Sequence, residues 1–216
     1  MTVHAPVPDY AAARQAMVDS QLRPEGVNDP SVIEAMSLVP REKFVPDDVK
    51  PLAYIDRSIP LGEGRELVAP AVLGLLLTAL APLRGERALV VGAGTGYSAV
   101  VMTRLGLEVT AIESSSALAA IAKTNGVKVV EGPLKFGSRA NAPYDLILID
   151  GAVEYIPDEL VEQLADGGRL GAAIIDQGIT RLITGRRAGG GFGLVSIADA
   201  AAPVLPGFER PRVFTF

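Results

Sequence analysis

Three glycines between two apolar segments are the part of the sequence best suited to chemistry. Gly92, Gly94 and Gly96 follow an apolar run that ends at Val91, and a helical pattern begins near Tyr97. Glycine suits such a turn because the backbone must adopt positive φ or lie against a ligand with no Cβ in the way. The helix that follows presents free N–H groups at its N-terminus. The segment therefore predicts a site for a nucleotide-type cofactor.

An acidic residue stands where such sites place one. Glu113 ends the next apolar run, 21 residues after Gly92, where a carboxylate can accept hydrogen bonds from both ribose hydroxyls. The glycine spacing separates two cofactor classes. A dinucleotide fingerprint is GxGxxG, and Tyr97 fills the position of its third glycine. The GxGxG form instead resembles motif I of the methyltransferases.

Composition excludes several other chemistries. The 216 residues include no cysteine and one histidine, His4, which we expect to be a tail residue. A thiolate metal site is excluded, and a multi-histidine site or a Ser-His-Asp hydrolase would have to recruit His4. We therefore expect no metal, and a reducing, cytoplasmic location, since the first residues also lack a signal-peptide pattern. A net charge of −5 without a basic block disfavours a nucleic-acid partner.

The elements before residue 83 are predicted to be helices and one long loop. Apolar spacing predicts a helix from Tyr10 to about Arg23, and a second helix that Asp29 caps and Pro30 opens. Residues 41–65, rich in proline, glycine and charge, predict an ordered wrapping loop. A long apolar helix begins near Pro70. It is interrupted and too short to span a bilayer, so no membrane partner is expected.

After residue 82, short apolar runs alternate with helical segments, which is typical of βαβ units and a parallel sheet. Helices are expected after Gly96, Ser114 and Pro157, and the residues from Gln177 predict an antiparallel hairpin at the sheet edge. We predict one domain over residues 1–216, in which residues 1–82 supply helices and a substrate loop and residues 83–216 the cofactor-binding sheet. The predicted strands are Ala88–Val91, Glu108–Ile112, Val127–Val130, Leu146–Ile149 and Arg169–Ile175.

The resemblance to methyltransferases extends beyond the glycine turn to four longer segments. These are MVDSQLRPEGVNDPSVIEAMSLVPREKFVP, VGAGTGYSAVV, YDLILIDGAVEYIPDELVEQLADGGRL and GRRAGGGFGLVSIADAAAPVLPGF. Together they resemble the protein-L-isoaspartate O-methyltransferases over nearly the whole chain. The resemblance implies an α/β fold with a doubly wound, Rossmann-like methyltransferase sheet. That sheet would be mostly parallel, with an antiparallel C-terminal hairpin and a helical segment before it. It also implies S-adenosylmethionine as the cofactor and a protein or peptide carboxylate as the acceptor, in protein repair.

The same resemblance implies which residues form the site. It places Arg65 and Val68 at the acceptor, Asp150 in a loop beside the cofactor, and identifies no catalytic residue. Methylation of an ionised carboxylate requires no general base, so the lack of a usable histidine does not count against it. The implied cofactor-binding residues are Gly92, Ala93, Gly94, Thr95, Gly96, Tyr97, Glu113, Ser114, Pro133 and Asp150.

The sequence departs from the family pattern at several of these positions. Val90 replaces an acidic residue before the first glycine, and Pro133 replaces an aspartate near the adenine. Val68 replaces a serine whose hydroxyl can donate to the acceptor, and Glu66 replaces a threonine. We expect Arg65 to pair with Glu66 or to contact the substrate.

Three functions stay open on the sequence. The first is methyl transfer to a carboxylate. The second is a cofactor-binding or interaction protein of the same fold that has lost isoaspartyl catalysis, which Val68, Val90 and Pro133 suggest. The third is a nicotinamide oxidoreductase, which Tyr97 disfavours. The acceptor and the oligomeric state are not determined by the sequence.

Overall fold

Two capped helices begin the part of the chain that the computed structural model describes, residues 9–210; His4 lies outside it. Helix α1 (Tyr10–Met17) continues into a π-helical turn, Val18–Leu22, and α2 spans Pro30–Leu38. The Asp29 carboxylate accepts hydrogen bonds from the second and third residues after it, at 2.8 and 3.2 Å. Both predicted helices are confirmed, including the cap.

The predicted wrapping loop over residues 41–65 is wrong in part. The chain there forms two 3₁₀ turns, Arg41–Phe44 and Asp47–Leu52, and the strand β1 (Ile59–Gly62). Strand β1 pairs in antiparallel fashion with β2 (Arg65–Leu67). Positive φ values in the turn and the alternation of buried and exposed residues suit such a hairpin, but each strand is too short for its period to stand out in the sequence.

The apolar segment after the hairpin is a buried helix, as predicted. Helix α3 spans Pro70–Leu80, and the chain leaves it at Ala81 in the left-handed conformation, with a φ of 45°. Apolar residues on nearly all sides of a helix indicate that it is enclosed by protein. Within residues 9–210, no helix has both the length and the apolar character needed to cross a membrane.

A seven-stranded sheet forms the rest of the molecule, in the order β5-β4-β3-β6-β7-β8-β9. Strands β3 to β7 pair in parallel, which confirms the predicted Rossmann-like arrangement. The helix predicted after Pro157 is a single turn, because the next strand begins three residues after it ends. The elements are β3 (Arg87–Val91), α4 (Tyr97–Arg104), β4 (Glu108–Glu113), α5 (Ser116–Thr124), β5 (Val129–Glu131), β6 (Tyr144–Val153), α6 (Asp158–Val161), β7 (Leu164–Asp176), β8 (Ile179–Ala188) and β9 (Gly191–Asp199).

The last two strands confirm the predicted antiparallel hairpin at the sheet edge. Gly189 and Gly190 join them with φ values of 57° and 83°, a pair of positive angles that matches the twist of a tight hairpin. Strand β8 pairs with β7 without an intervening helix. The sheet therefore ends in an antiparallel meander beyond its parallel centre.

Both faces of the central strands are buried. Along β3, Ala88 and Val90 pack in one apolar cluster with the N-terminal helices, while Leu89 and Val91 pack in the other. The same alternation holds in β6, where Leu146 faces the first cluster. The sheet thus has a layer on each side, and its parallel strands all end at one edge, where the glycine turn lies.

Candidate functional site

The parallel register brings three predicted residues to one edge of the sheet. Val91 pairs with Ile112 on one side and with Ile149 on the other. The residues that follow these three are Gly92, Glu113 and Asp150. Strand order reverses between β3 and β6, and open α/β sheets bind ligands in the crevice at such a point.

The glycine turn has the backbone geometry that the sequence predicts. Gly92 and Gly96 have φ values of 81° and 97°, which side-chain-bearing residues rarely adopt. A Cβ on Gly96 would lie 2.8 Å from Val127 Cγ2, so glycine is also required there by the packing of the turn on the loop before β5. Helix α4 begins directly after it, at Tyr97.

Glu113 fastens the turn to the end of β4. Its side chain is fully buried, and its Oε2 accepts a hydrogen bond from Gly94 N at 2.7 Å. Its Oε1 accepts from the backbone N–H groups of Ser114 and Ser115, at 2.8 and 3.0 Å. The carboxylate therefore lies at the centre of the site rather than at a solvated strand end.

Arg65 lies against this carboxylate, which corrects the expectation of a Glu66 partner. Its Nη1 is 2.7 and 3.0 Å from the two Glu113 oxygens, and its Nη2 donates to Gly92 O at 2.9 Å. The pleat of β2 explains the difference, because it buries Arg65 and leaves Glu66 exposed on the opposite face. Arg65 thus pairs with Glu113, in the predicted cofactor site, and not with Glu66.

Asp150 lies inside β6, not in the loop after it. The strand continues to Val153, with a shift of register between Leu148 and Ala152. Ser98 Oγ donates to Asp150 Oδ2 at 2.6 Å. Burial raises the pKa of Asp150 to about 6, and the hydrogen bond from Ser98 opposes this rise, as do the positive charges of Arg65 and Arg41.

Arg41 is a buried residue of the site that the sequence reasoning did not single out. Its guanidinium lies 4.9 Å from the centre of the Tyr97 ring, a cation–π distance. Nε donates to Ala53 O at 2.8 Å, and Nη2 donates to Val68 O. Among the described residues, neither Arg41 Nη1 nor the Tyr97 hydroxyl has a hydrogen-bond partner. The sequence around it, Pro40 to Phe44, is rich in charge and gives no signal that Arg41 is buried.

Val68 and Thr95 hold the N-terminal segment against the site. The Val68 side chain is buried, and only its carbonyl oxygen is used, by Arg41. Thr95 Oγ1 donates to Phe44 O at 2.6 Å, and Asn125 Nδ2 donates to Thr95 O at 2.9 Å. Both residues therefore contact neighbouring chain segments. Ala93, between two glycines of the turn, is buried as well.

An open cavity continues the site on the side of Ser114 and Pro133. It has a volume of about 410 Å³. Pro206 and Gly207, from the segment after β9, form its other wall. The outer part of the predicted site is thus accessible, while its inner part, around Glu113, is filled by protein. Within residues 9–210, no three histidine, cysteine, aspartate or glutamate side chains are grouped as metal ligands would be.

Comparison with known proteins agrees with this architecture. Residues 12–190 match the model of the family described as protein-L-isoaspartate(D-aspartate) O-methyltransferase. A protein-L-isoaspartate O-methyltransferase of Methylorubrum extorquens is 42% identical over 76% of this chain and 75% of its own length. A second relative of that description, from Methanoregula boonei, is 41% identical over 73% of this chain and 76% of its own.

Solved structures show the same fold. One protein-L-isoaspartate O-methyltransferase superposes with a TM-score of 0.80 at 25% identity, over 90% of this chain and 66% of that one. A Plasmodium falciparum beta-aspartate methyltransferase, solved in complex with S-adenosyl-L-homocysteine, gives a TM-score of 0.76 at 21% identity, over 88% of this chain and 96% of that one. The matched family model covers most of the chain. This chain belongs to the protein-L-isoaspartate(D-aspartate) O-methyltransferase family, which uses S-adenosylmethionine.

Proposed function

We propose that this chain is an S-adenosylmethionine-dependent carboxyl methyltransferase that acts on isoaspartyl residues of proteins or peptides. The observation that carries the proposal is the meeting of Gly92, Glu113 and Asp150 at the reversal of strand order, in a chain of this family. Protein repair is the role that this activity would serve.

The residues present suit the cofactor. Glu113 is the acceptor that a ribose hydroxyl would use, at Oε2, the oxygen that Arg65 and the Gly94 N–H contact. The cavity beside Ser114 and Pro133 offers apolar walls to a flat base. Because proline has neither a side-chain acceptor nor an N–H donor, we propose that the adenine is recognised by neighbouring backbone. The glycine turn, Gly92 to Tyr97, would lie along the rest of S-adenosylmethionine.

The proposed reaction requires little proton transfer by the protein. S-adenosylmethionine supplies a methyl group on a positively charged sulfur. An isoaspartyl carboxylate is ionised at neutral pH, so the chain has to orient it and exclude water. The one histidine of the sequence, His4, is therefore not needed.

Two features of the chain near the expected carboxylate acceptor suggest a modest rate of methyl transfer. Val68 has no side-chain donor, and its carbonyl oxygen is bound by Arg41. Glu66 is exposed beside it, and its negative charge opposes an anionic acceptor. We propose that Asp150, held by Ser98, borders the reacting centre, since it lies next to the glycine turn.

Methyl transfer to a defined peptide tests the proposal. The full chain is incubated with labelled S-adenosylmethionine and a peptide that contains one isoaspartyl residue, and base-labile methyl ester is measured. The matched control is the same peptide with aspartate. We expect ester only on the isoaspartyl peptide. No ester at saturating peptide and cofactor would refute the activity.

The surroundings of the protein are part of the same proposal. We propose a cytoplasmic location, because a sequence without cysteine suits a reducing compartment. A net charge of −5 supports a protein or peptide partner rather than a nucleic acid.

A further inference from the structure

The hairpin of β1 and β2 inserts a charged side chain into the predicted cofactor site. Arg65 is only 4% exposed, and it bonds to both Glu113 and Gly92 O. We propose that Arg65 is an internal competitor of the cofactor: the hairpin closes the ribose part of the site, and S-adenosylmethionine or S-adenosylhomocysteine binds only after Arg65 leaves. This inference rests on the proposed function and concerns the regulation of the same site.

The hydrogen bonds of Glu113 leave no acceptor for a ribose. A carboxylate offers about four lone-pair positions. Arg65 Nη1 lies 2.7 and 3.0 Å from the two oxygens, and the N–H groups of Gly94, Ser114 and Ser115 take further positions at 2.7, 2.8 and 3.0 Å. The three backbone donors belong to the turn and to the strand end. The Arg65 side chain can withdraw without moving either element, and its departure frees an acceptor position on Oε2, which then keeps only the Gly94 N–H. Oε1 stays occupied by Ser114 and Ser115.

The space beside the glycines is also filled by the hairpin. A Cβ on Gly92 would lie 2.9 Å from Arg65 Nη2, and one on Gly94 would lie 2.9 Å from Leu61 Cδ1. Glycines that could let a ligand approach the backbone are thus in contact with side chains of both hairpin strands. The same Cβ on Gly92 would lie 3.0 Å from Leu205 Cδ1 and Cδ2. A cofactor along the turn must displace Arg65 and Leu61.

The hairpin can move without disturbing the main sheet. Strands β1 and β2 form a separate two-stranded sheet, and such hairpins are marginally stable alone. Gly62, Glu63 and Gly64 at the tip have φ values of 85°, 54° and 65°. A movement of the tip that carries Leu61 and Arg65 is sufficient, because Ile59 and Leu67 at the base can keep their packing.

The ion pair does not forbid opening. Taking an arginine and a glutamate out of water costs free energy that largely offsets their attraction. On leaving, Arg65 regains water, and a ribose hydroxyl replaces its hydrogen bond to Glu113 Oε2. An open state that holds about 1–10% of the molecules would raise the apparent dissociation constant about 100- to 10-fold above that of the open state.

Calorimetry with S-adenosylhomocysteine tests this competition. The full chain is compared with Arg65→Gln and with Arg139→Gln, which loses an exposed ion pair to Glu162. We expect about 10- to 100-fold tighter binding by Arg65→Gln, and parent affinity in the Arg139→Gln control.

Two other results of this calorimetric comparison would overturn the competition. Equal or weaker binding by Arg65→Gln, with a parent that binds, overturns the competition and leaves the proposed function standing. No binding by either protein overturns both. These two results are distinguishable.

A second measurement does not depend on the folding of Arg65→Gln. Because the sequence has no cysteine, Glu66→Cys carries a single environment-sensitive fluorophore on β2, and Ser31→Cys carries the same label on α2 as a control. We expect emission to change with saturating S-adenosylhomocysteine only for the label on β2. Unchanged emission where calorimetry shows saturation overturns the proposal.

Discussion

Replacing Asp150 by asparagine should make the protein more stable at neutral pH. Burial raises the pKa of Asp150 to about 6, although the Ser98 hydroxyl and the positive charges of Arg65 and Arg41 lower it in part. The folded site therefore penalises the charged form of this side chain relative to the unfolded chain. An asparagine oxygen can still accept the hydrogen bond that Ser98 Oγ donates at 2.6 Å. The substitution removes the charge and keeps the contact.

The direction of the pH dependence follows from proton binding. Between the ordinary pKa of 3.8 and the folded value of about 6, the folded chain holds the Asp150 proton more tightly than the unfolded chain. Raising the pH through this window therefore lowers the stability of the parent. The full rise in pKa corresponds to about 3 kcal/mol above pH 7. We expect Asp150→Asn to exceed the parent by about 3 kcal/mol at pH 8, about half of that at pH 5, and little at pH 4.

Urea denaturation at these three pH values measures the difference in the free energy of unfolding. For a chain of this size, about 3 kcal/mol also corresponds to a rise of roughly 6–12 °C in Tm. Asp48→Asn, at an exposed carboxylate of a 3₁₀ turn, is the matched control and should follow the parent. A gain that does not change with pH, or a loss at pH 8, would refute the prediction.

Three further outcomes are expected. Glu113→Ala should weaken S-adenosylhomocysteine binding about 10- to 150-fold, because it removes a charged acceptor worth ~1.5–3 kcal/mol; unchanged calorimetric affinity would place the ribose elsewhere. The Glu66→Thr, Val68→Ser double variant should raise isoaspartyl turnover about tenfold or more by adding a donor and removing a charge. Equal turnover, with Glu66→Thr alone as control, would show that these positions do not limit transfer. Asp29→Ala should lower the free energy of unfolding by about 1 kcal/mol, since the α2 cap is lost, and a urea midpoint equal to that of the parent would contradict this.

The features that could be predicted from the sequence depend on local order. The run to Val91, the glycine turn and the helix from Tyr97 are adjacent in the chain, and their residue types alone require a strand, a turn and a helix. The C-terminal hairpin is likewise predicted from Gly189 and Gly190 between two β-like runs. Parallel pairing then brings Glu113 and Asp150 to the turn, as the βαβ pattern implies.

The partners of the buried arginines could not be predicted in this way. Arg65 meets Glu113 across 48 positions of sequence, and Arg41 meets Val68 across 27. An arginine in a charged, proline-rich segment looks solvated, because its burial is favourable only once distant acceptors are in place. The extension of β6 through Asp150 was missed for a related reason. Its pairing there depends on a register shift against β7 rather than on an apolar run.

Arg41 donates hydrogen bonds to two backbone carbonyl oxygens, and these bonds close the chain between Ala53 and Val68 into a loop. One guanidinium binds Ala53 O and Val68 O, so the two ends of this stretch are held within the span of a single planar group. The hairpin of β1 and β2 lies at the far end of this loop, and Arg41, which holds the two ends together, lies above the Tyr97 ring. We therefore expect the stretch to tilt about this anchor when Arg65 leaves Glu113, and not to detach from the molecule.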